Sequence, residues 1–185
     1  MAYTDLYVFP WKEKPTLKLQ PVDPKVLTPE ILEVFGTQNA LLTAGNQSAC
    51  NTMTIGWAQM GTLWAKPVCT VYVRPERYTY EFMETSECFT VSVLPKDLRK
   101  TIGFCGTKSG RDVDKIKECG LTVSYGAGDA PYFEEAEWVL VCKKLYAQDL
   151  AGDFVLGGEE IHGFYGAKGN WHRMYVGEVL EAYKK

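Results

Sequence analysis

The sequence predicts a mainly β domain, a β-barrel with short helices, from three observations. Short segments rich in β-branched and aromatic residues recur from residue 40 to the end of the chain. The helical patterns between them are few, and they do not alternate with the strands as βαβ units would. No internal repeat is present. An α+β domain is the alternative to a barrel, and a doubly wound sheet is disfavoured.

Size and composition fit a single domain spanning residues 1–185, with a Pro-rich, irregular wrap over residues 1–27. The net charge of −3, without a Lys/Arg run, argues against a nucleic-acid surface. No apolar run approaches the roughly 20 residues that span a bilayer, so no membrane partner is expected. The first residues lack the pattern of a secretory signal, and we expect a cytoplasmic protein.

The six cysteines are widely spaced, and no CxxC pair exists. The two histidines, His162 and His172, have no matching ligand spacing, so we expect no zinc or iron–sulfur site. In a reducing cytosol the cysteines fit small buried hydrophobic residues better than disulfides or redox centres.

The first elements along the chain are a short helix and a series of strands. In "TPEILEVFG", Thr28 can cap a helix, Pro29 suits its first turn, and Gly36 can end it. The segments "ALLTAG", "VCTVYVR" and "CFTVSVL" then read as strands. Between the last two, Tyr78 and Phe82 at i,i+4 predict a short amphipathic helix.

The second half of the chain carries two more helices and the closing strands. One helix is predicted over residues 96–104, and a second within "KSGRDVDKIKECG", with Ser109 as a candidate cap and Gly120 as the stop. Strands follow at "LTVSY", "EWVLVCKKLYAQ" and "HRMYVGEVLEAY". Residues 149–171 hold six glycines and predict a loop-rich region.

Standard nucleotide-binding motifs are absent, but the segment "RPERYT" has features of an anion site. "GAGDAP" lacks the third glycine and the helix of a dinucleotide fingerprint, and there is no P-loop. A strand end followed by a helix start offers free backbone N–H groups for a phosphate, and arginine adds a fork of donors. The residues concerned are Arg74, Arg77, Tyr78 and Thr79. The alternative is a solvated helix start with surface ion pairs to Glu76 or Glu81.

A second candidate anion segment is "GTKSGRDVDK", a Gly-rich loop that enters a helix. Arg111 and Lys115 stand at i,i+4, so a helix would place them on one face. A phosphate near this turn would meet Ser109, loop N–H groups and these cations. The alternative is an exposed charged helix in which Asp112 and Asp114 complement the helix dipole.

The third segment, "NTMTIGW" at residues 51–57, is unusually polar for a buried strand. A flat heteroaromatic ring needs close backbone approach, polar groups for its edge and an apolar face. Gly56 would permit the approach; the hydrogen-bonding residues are Asn51, Thr52 and Thr54, and the apolar faces are Met53 and Trp57. A crowded barrel strand would tolerate the same residues.

Taken together, these segments resemble the flavin reductase-like family, the FMN-binding split barrels that include flavoredoxins. The resemblance runs through "NTMTIGWAQMGTLWAKP", "VYVRPERYTYEF", "FTVSVLP", "GTKSGRDVDK" and "HRMYVGEVL". These blocks stand in the expected order and cover roughly residues 38–183.

The resemblance implies a homodimeric split β-barrel of Greek-key type, with FMN bound near the subunit interface. Asn51, Met53 and Trp57 would lie by the cofactor, with the backbone of residues 52–54 along the ring edge. Arg74, Arg77, Tyr78 and Thr79 would be proximal to the phosphate, and Ser109 and Lys115 would complete that end.

His172 matches a histidine that lies on the nicotinamide side of the flavin in several family members, so it is a candidate substrate-binding residue. Trp171 replaces the usual aspartate before it, and a plain strand-end histidine is the alternative. Lys66 stands where a second proline is more common, near the expected position of the ring. No catalytic or metal-binding side chain is assigned, since the flavin carries the chemistry.

Three functions are compatible with these expectations. The first is an FMN-dependent oxidoreductase that takes electrons from NAD(P)H and passes them to free flavin or another acceptor. The second is a flavoredoxin-like electron carrier between protein partners. The third is a non-catalytic flavin-binding or storage module.

Overall fold

In the computed structural model, residues 20–22, 31–166 and 169–185 are described. The predicted mainly β fold with short helices is confirmed. The strands are β1 Gln20–Pro21, β2 Ala40–Gly45, β3 Cys50–Ile55, β4 Ala58–Leu63, β5 Lys66–Val73, β6 Cys88–Val93, β7 Val123–Tyr125, β8 Pro131–Phe133, β9 Trp138–Asp149 and β10 Arg173–Lys184. The helices are α1 Ile31–Glu33, α2 Tyr78–Thr85, α3 Arg99–Thr107, α4 Lys115–Glu118 and α5 Glu159–Gly163.

One antiparallel sheet curls around the main core. Its strand order is β3-β2-β6-β9-β10-β5-β4, with β1 paired to the end of β10. Strands β3 and β4 lie at opposite ends of this order, yet only residues 56–57 separate them in the chain. The two ends of the sheet must therefore come close together, which gives a barrel split between β3 and β4. The connection from β5 to β6 bypasses β10 and β9, as in Greek-key topologies.

Strands β2 and β6 and the first five residues of β9 are buried on both faces, which explains their nearly continuous apolar sequences. Inside the barrel, Leu42, Val91 and Leu140 belong to one core cluster. Their neighbours on the outer face, such as Leu41 and Val139, pack into a second cluster formed with α3 and the β7–β8 hairpin. A strand covered on both sides has no polar face to alternate with the apolar one.

The first helix differs from its prediction. Helix α1 is followed by a π-helical turn at Val34–Gln38, so Gly36 does not end it. The turn ends at Asn39, which has φ 66° and donates its backbone N–H to the carbonyl of Val34. With ψ 163°, Asn39 lies outside the left-handed helical region, in a backbone conformation that is otherwise almost restricted to glycine. Thr28 and Pro29, like residues 1–19, lie outside the described part of the chain.

Helix α4 is shorter than predicted, and Ser109 is not its cap. Asp114 caps it instead by accepting a hydrogen bond from the backbone N–H of Lys117 at 3.1 Å. The Ser109 hydroxyl accepts from the backbone N–H of Arg111 in the preceding turn. Arg111 therefore lies outside the helix, and the expectation that it shares a helical face with Lys115 is wrong.

Other predicted elements are observed close to their expected places. Helix α2 begins at Tyr78, and Gly120 follows α4 with φ 62°. The predicted helix from residue 96 starts as a 3₁₀ turn and continues as α3 to Thr107. The Gly-rich region forms a 3₁₀ turn at Gly152–Phe154 and helix α5. The cysteines of the described residues are all free.

Candidate functional site

The structure brings the three polar segments together at the outer edge of β3. Asn51 is buried, and its Nδ2 donates to the Thr79 hydroxyl at 2.7 Å. A Cβ on Gly110 would overlap Oδ1 of Asn51 and would lie 2.9 Å from Cδ1 of Tyr78. Residues from β3, from the start of α2 and from the loop before α4 are thus in direct contact.

Lys115 occupies the centre of this junction. Its side chain is only 5% exposed, and its Nζ donates to the backbone carbonyls of Thr52 and Cys105, each at 2.9 Å. No carboxylate forms an ion pair with it among the described residues. Burial lowers the pKa of Lys115, the nearby Arg77 acts in the same direction, and the thiols of Cys105 and Cys119 oppose the shift. An ammonium has three N–H donors, so one is left for a ligand.

The free edge of β3 supplies backbone groups to the site. In the described sheet β3 pairs only with β2, and α3 and α4 lie against its other side. The Thr52 carbonyl points to this side, because it accepts the Lys115 hydrogen bond. Antiparallel pairing alternates along a strand, so the backbone of Thr54 faces the same way. The Thr54 hydroxyl donates to the carbonyl of Ile102 in α3 at 2.6 Å.

The N-terminus of α2 faces the same space without a side-chain cap. Its N-cap residue, Arg77, is extended, with φ −72° and ψ 134°, and makes no capping hydrogen bond. The first N–H groups of a helix have no partner within the helix and carry a partial positive charge. The exposed Arg77 side chain makes no hydrogen bond or ion pair within the described ranges. The uncapped start of α2 and the Arg77 side chain would both favour the binding of an anion.

A cavity of about 150 Å³ lies between these elements, and we call it the cradle. Its walls are residues 53–54, residues 76–79, residues 105–110 and Lys115. Three of its side chains are cationic and one is a carboxylate: Arg77, Lys108, Lys115 and Glu76. A wider groove of about 610 Å³ adjoins it and shares Tyr78, Gly110 and Lys115. The cradle therefore has an excess of positive charge.

Arg111 links the loop before α4 to the segment around the start of α2. Its guanidinium lies 4.9 Å from the centre of the Tyr78 ring and donates to the backbone carbonyl of Glu76 at 3.2 Å. It also forms an ion pair with Glu81. The surface ion pair that the sequence offered as an alternative thus exists, but Arg111 makes it.

Trp57, Arg74 and His172 lie together beyond the cradle rather than in its walls. The Arg74 Nη2 donates to the carbonyl of Phe164 at 2.7 Å, and its guanidinium lies over the Tyr165 ring. Trp57 packs against Phe164 and His172, with ring centroids 5.4 and 5.1 Å apart. These residues form an aromatic end where the Gly-rich region folds onto the barrel.

His172 is held as a neutral imidazole at this aromatic end. Burial, followed by the positive charges of Arg74 and Arg77, lowers its pKa to about 4, while Glu76 acts in the opposite direction. Its Nδ1 lies 3.0 Å from the Tyr165 hydroxyl. A neutral ring with one fixed nitrogen can hydrogen-bond or stack without introducing a charge.

Two residues suggested as ligand neighbours have structural partners instead. A Cβ on Gly56 would lie 2.6 Å from Oδ1 of Asn39, so this glycine makes room for Asn39. The Nζ of Lys66 donates to both carboxylate oxygens of Glu178, at 2.7 and 2.8 Å, across strands β5 and β10.

Sequence reasoning did not single out Lys108, Gly106 and Gly110, which also form the cradle. A Cβ on Gly106 would lie 3.2 Å from the Cβ of Thr54, so this glycine lets the end of α3 approach β3. The signal was present in "GTKSG", where two glycines flank a lysine and a serine. Each glycine is needed for a close contact with β3 or its neighbours.

Within the described residues no group of three or more His, Cys, Asp or Glu could hold a metal ion. No helix of that part of the chain combines the length and apolar character that a membrane span needs.

The barrel and cradle define a class: split-barrel proteins with a positively charged cavity at the barrel edge. The flavin reductase like domain model matches residues 32–185, and the chain belongs to this family.

Similar proteins include redox proteins of several kinds. A high molecular weight rubredoxin from Moorella thermoacetica is 31% identical over 70 residues, which are 37% of this chain and 30% of that protein. Flavoredoxin from Methanosarcina acetivorans superimposes with a TM-score of 0.64 at 24% identity, over 80% of this chain and 68% of that one. The NADH:FAD oxidoreductase SgcE6 from Streptomyces globisporus gives a TM-score of 0.61 at 21% identity, over 89% and 86%. The chain spans about a third of the length of the curated relatives it matches.

Proposed function

We propose that this protein is an FMN-binding flavoprotein oxidoreductase that transfers electrons from NAD(P)H, through bound FMN, to flavin or another acceptor. The observation that carries the proposal is the cradle, in which the buried Lys115 and the uncapped start of α2 face one small cavity. Membership of the flavin reductase-like family supports the choice of a flavin.

The residues of the cradle fit a phosphate monoester. The ester would receive hydrogen bonds from the first N–H groups of α2, from the remaining N–H of Lys115 and from Arg77. Ser109 and Thr79 also line this cavity. Gly110 leaves no room for a side chain between Asn51 and Tyr78, so the loop backbone lies close to the junction.

The remaining predicted residues fit the rest of FMN. The free backbone edge at Thr52 and Thr54 would hydrogen-bond the polar edge of a flat ring, and Met53 offers it an apolar contact. Trp57 and His172 would lie at the far end of that ring. Asn51 supports this arrangement indirectly by fixing Thr79.

Bound FMN would supply hydride-accepting and electron-transfer chemistry. The protein's own part is to orient the cofactor and exclude water. N–H groups of the β3 edge would stabilise negative charge on the ring. A neutral His172 would adjoin the ring without adding a charge, and would be available to a nicotinamide.

Equilibrium titrations with FMN, FAD and riboflavin test the cofactor assignment. We expect the purified protein to bind FMN at least tenfold more tightly than riboflavin, because riboflavin lacks the phosphate. A tenfold ratio corresponds to about 1.4 kcal/mol, which is within the range of one charged hydrogen bond. Equal affinities for FMN and riboflavin would contradict the phosphate role of the cradle.

Anaerobic mixing with NADH and NADPH tests the electron donor. Rapid bleaching of the FMN absorbance by either nucleotide is the expected result. Bleaching by dithionite alone would instead favour the second candidate, an electron carrier like flavoredoxin, or a flavin-binding module. The resemblance to a high molecular weight rubredoxin supports keeping a protein partner as the second candidate.

Two further proposals concern the whole protein. We infer a cytoplasmic protein that acts as a homodimer. Large apolar side chains are exposed close to the aromatic end, including Phe164, which is 58% exposed, and Trp57, which is 44% exposed. A second copy of the chain would cover them and place the flavin site near the interface.

A further inference from the structure

Two thiols meet beside Lys115, where α3 and α4 come together at one wall of the cradle. Cys105 lies near the end of α3, and Cys119 is the C-cap residue of α4. Cys119 packs against the core cluster that contains Cys105, and the two thiols lie close enough to influence each other's pKa. Cys105 is fully buried, whereas Cys119 is partly exposed.

This pair is tied directly to Lys115. The Lys115 Nζ donates to the carbonyl of Cys105 at 2.9 Å, and the carbonyl of Lys115 accepts the backbone N–H of Cys119 at 3.1 Å. A bond between the two sulfurs would therefore connect the two helices that position the Lys115 ammonium.

A second thiol pair provides an internal comparison. Cys69 and Cys142 lie on β5 and β9, the two strands that flank β10, and they approach each other where Gly177 has no side chain to separate them. Both thiols are fully buried inside the barrel. An oxidant in solution has no direct access to this pair, but it can reach the partly exposed Cys119.

We propose that Cys105 and Cys119 form a reversible redox modification site, in which a peroxide converts the two thiols into a disulfide that adjoins Lys115. The Cys119 sulfur attacks hydrogen peroxide, becomes a sulfenic acid, and releases water. The Cys105 sulfur then attacks the sulfenic sulfur, and the hydroxyl leaves as a second water with the Cys105 proton. The two thiols lose two electrons and two protons, and one peroxide becomes two waters.

The roles of the two cysteines follow from their environments. Burial, reinforced by the neighbouring Cys119, raises the pKa of Cys105 to about 12, so this sulfur is rarely a thiolate. The thiolate is the reactive form of cysteine, and the fully buried Cys105 is also shielded from solvent, so a peroxide meets the partly exposed Cys119 first. Cys119 therefore reacts first, and Cys105 resolves the sulfenic acid because it is the neighbouring thiol and can give its proton to the departing hydroxyl as it attacks.

Treatment of the wild-type protein with hydrogen peroxide, followed by alkylation under denaturing conditions and mass spectrometry, tests the proposal. We expect two fewer alkylated cysteines than in the untreated protein, a peptide cross-link between Cys105 and Cys119, and full reversal by dithiothreitol. The Cys69–Cys142 pair should remain alkylatable in the same sample. Cys105→Ala should trap the sulfenic acid on Cys119, where dimedone would label it.

The effect on the cradle is measured by FMN titration of the reduced and oxidised protein, an experiment that rests on the proposed function. We expect the FMN affinity to fall at least threefold on oxidation, and to remain unchanged by peroxide in Cys119→Ala.

Six alkylated cysteines after peroxide, or a cross-link at Cys69–Cys142 only, would overturn the modification site. A cross-link without a change in affinity would overturn its coupling to the cradle. Failure of the reduced protein to bind FMN would refute the proposed function and leave the mass measurement intact.

Discussion

At the scale of single residues, Lys115 shows how burial gives a common side chain a specific role. Its Nζ is held by two carbonyl oxygens and has no carboxylate partner in the described structure. Burying a charge without a counterion is costly, and an anionic ligand would compensate for that cost. In the ligand-free protein, the buried ammonium of Lys115 therefore lacks a counterion, which an anionic ligand would supply.

We predict that Lys115→Met weakens FMN binding by about 10- to 100-fold, since a charged hydrogen bond contributes roughly 1.5–3 kcal/mol. Riboflavin binding should change little, because riboflavin has no phosphate for Lys115 to contact. The ratio of the two dissociation constants separates this effect from a general loss of structure. Lys117→Met is the matched control on the same helix, since that lysine is exposed and is not part of the cradle. Parallel losses for both flavins would contradict the assigned role.

His172 gives a second prediction at the residue scale, which concerns pH. Its pKa is about 4 in the folded protein, against an ordinary value of 6.5. Between these two values the unfolded chain binds a proton that the folded protein does not. The stabilisation is therefore fully present above pH 6.5 and is lost as the pH falls toward 4.

We expect the free energy of unfolding to decrease by about 1–3 kcal/mol from this residue over that range, with allowance for partial solvent screening. Urea titrations at pH 7 and pH 4.5 measure the decrease, and His172→Gln should reduce it.

Because Arg74 is the main charge that lowers this pKa, Arg74→Gln should raise the pKa of His172 in an NMR titration. An unchanged imidazole titration in Arg74→Gln would refute the placement of that guanidinium.

At the scale of elements, the loop between α3 and α4 shows what local sequence can and cannot predict. Gly120 was predicted to end the helix, because a left-handed residue after a helix is a local preference. The start was misplaced, because Ser109 and Asp114 are both good capping residues. Asp114 caps the helix in the structure, and Lys115 is then buried against Thr52, a contact that sequence spacing does not reveal.

Gly110 provides the prediction for this element. A Cβ at this position would overlap Asn51 and crowd the Tyr78 ring, so Gly110→Ala must displace the loop or the strand. We expect a loss of about 1–3 kcal/mol in unfolding free energy, as for overpacked cores, together with weaker FMN binding.

Gly103→Ala is the matched control for that substitution. Gly103 lies within α3, and a Cβ there would meet no atom within 4 Å. Alanine is the better helix former, so we expect a gain of up to about 1 kcal/mol and unchanged FMN affinity. Thermal unfolding and FMN titration of both variants measure the difference. A tolerated Gly110→Ala would show that the close contact with Asn51 is not needed.

At the scale of the whole molecule, the strands were predictable and their arrangement was less so. Segments such as "CFTVSV" indicate strands, because their β-branched and aromatic residues suit a sheet. Their continuous burial depends on the second core cluster, which forms only when α3 and the β7–β8 hairpin cover the barrel. Likewise, the sequence placed Arg74 with the phosphate block, whereas its side chain turns toward Phe164 in the Gly-rich region. Chain direction alone does not determine which way a long side chain points at a strand end.

The exposed apolar surface leads to the last prediction, which concerns assembly. In addition to the exposed Phe164, the Gly-rich region presents Phe154, which is 79% exposed, and Leu156, which is 99% exposed. Large apolar side chains that are exposed in one region of the chain favour an interaction surface over free surface. We therefore expect a dimer in solution, seen by sedimentation as twice the chain mass.

Leu156→Asp should shift this equilibrium toward the monomer, because a dimer interface through the Gly-rich region would bury the new charge without a partner. Trp64→Asn is the control. Trp64 is 59% exposed at the β4–β5 turn and has φ 51°, a conformation that asparagine adopts with less strain. The substitution Trp64→Asn should therefore leave both folding and dimerisation intact. If Trp64→Asn yields monomers while Leu156→Asp remains dimeric, the interface lies at the β4–β5 turn, away from the aromatic end. The flavin site would then be complete within one chain.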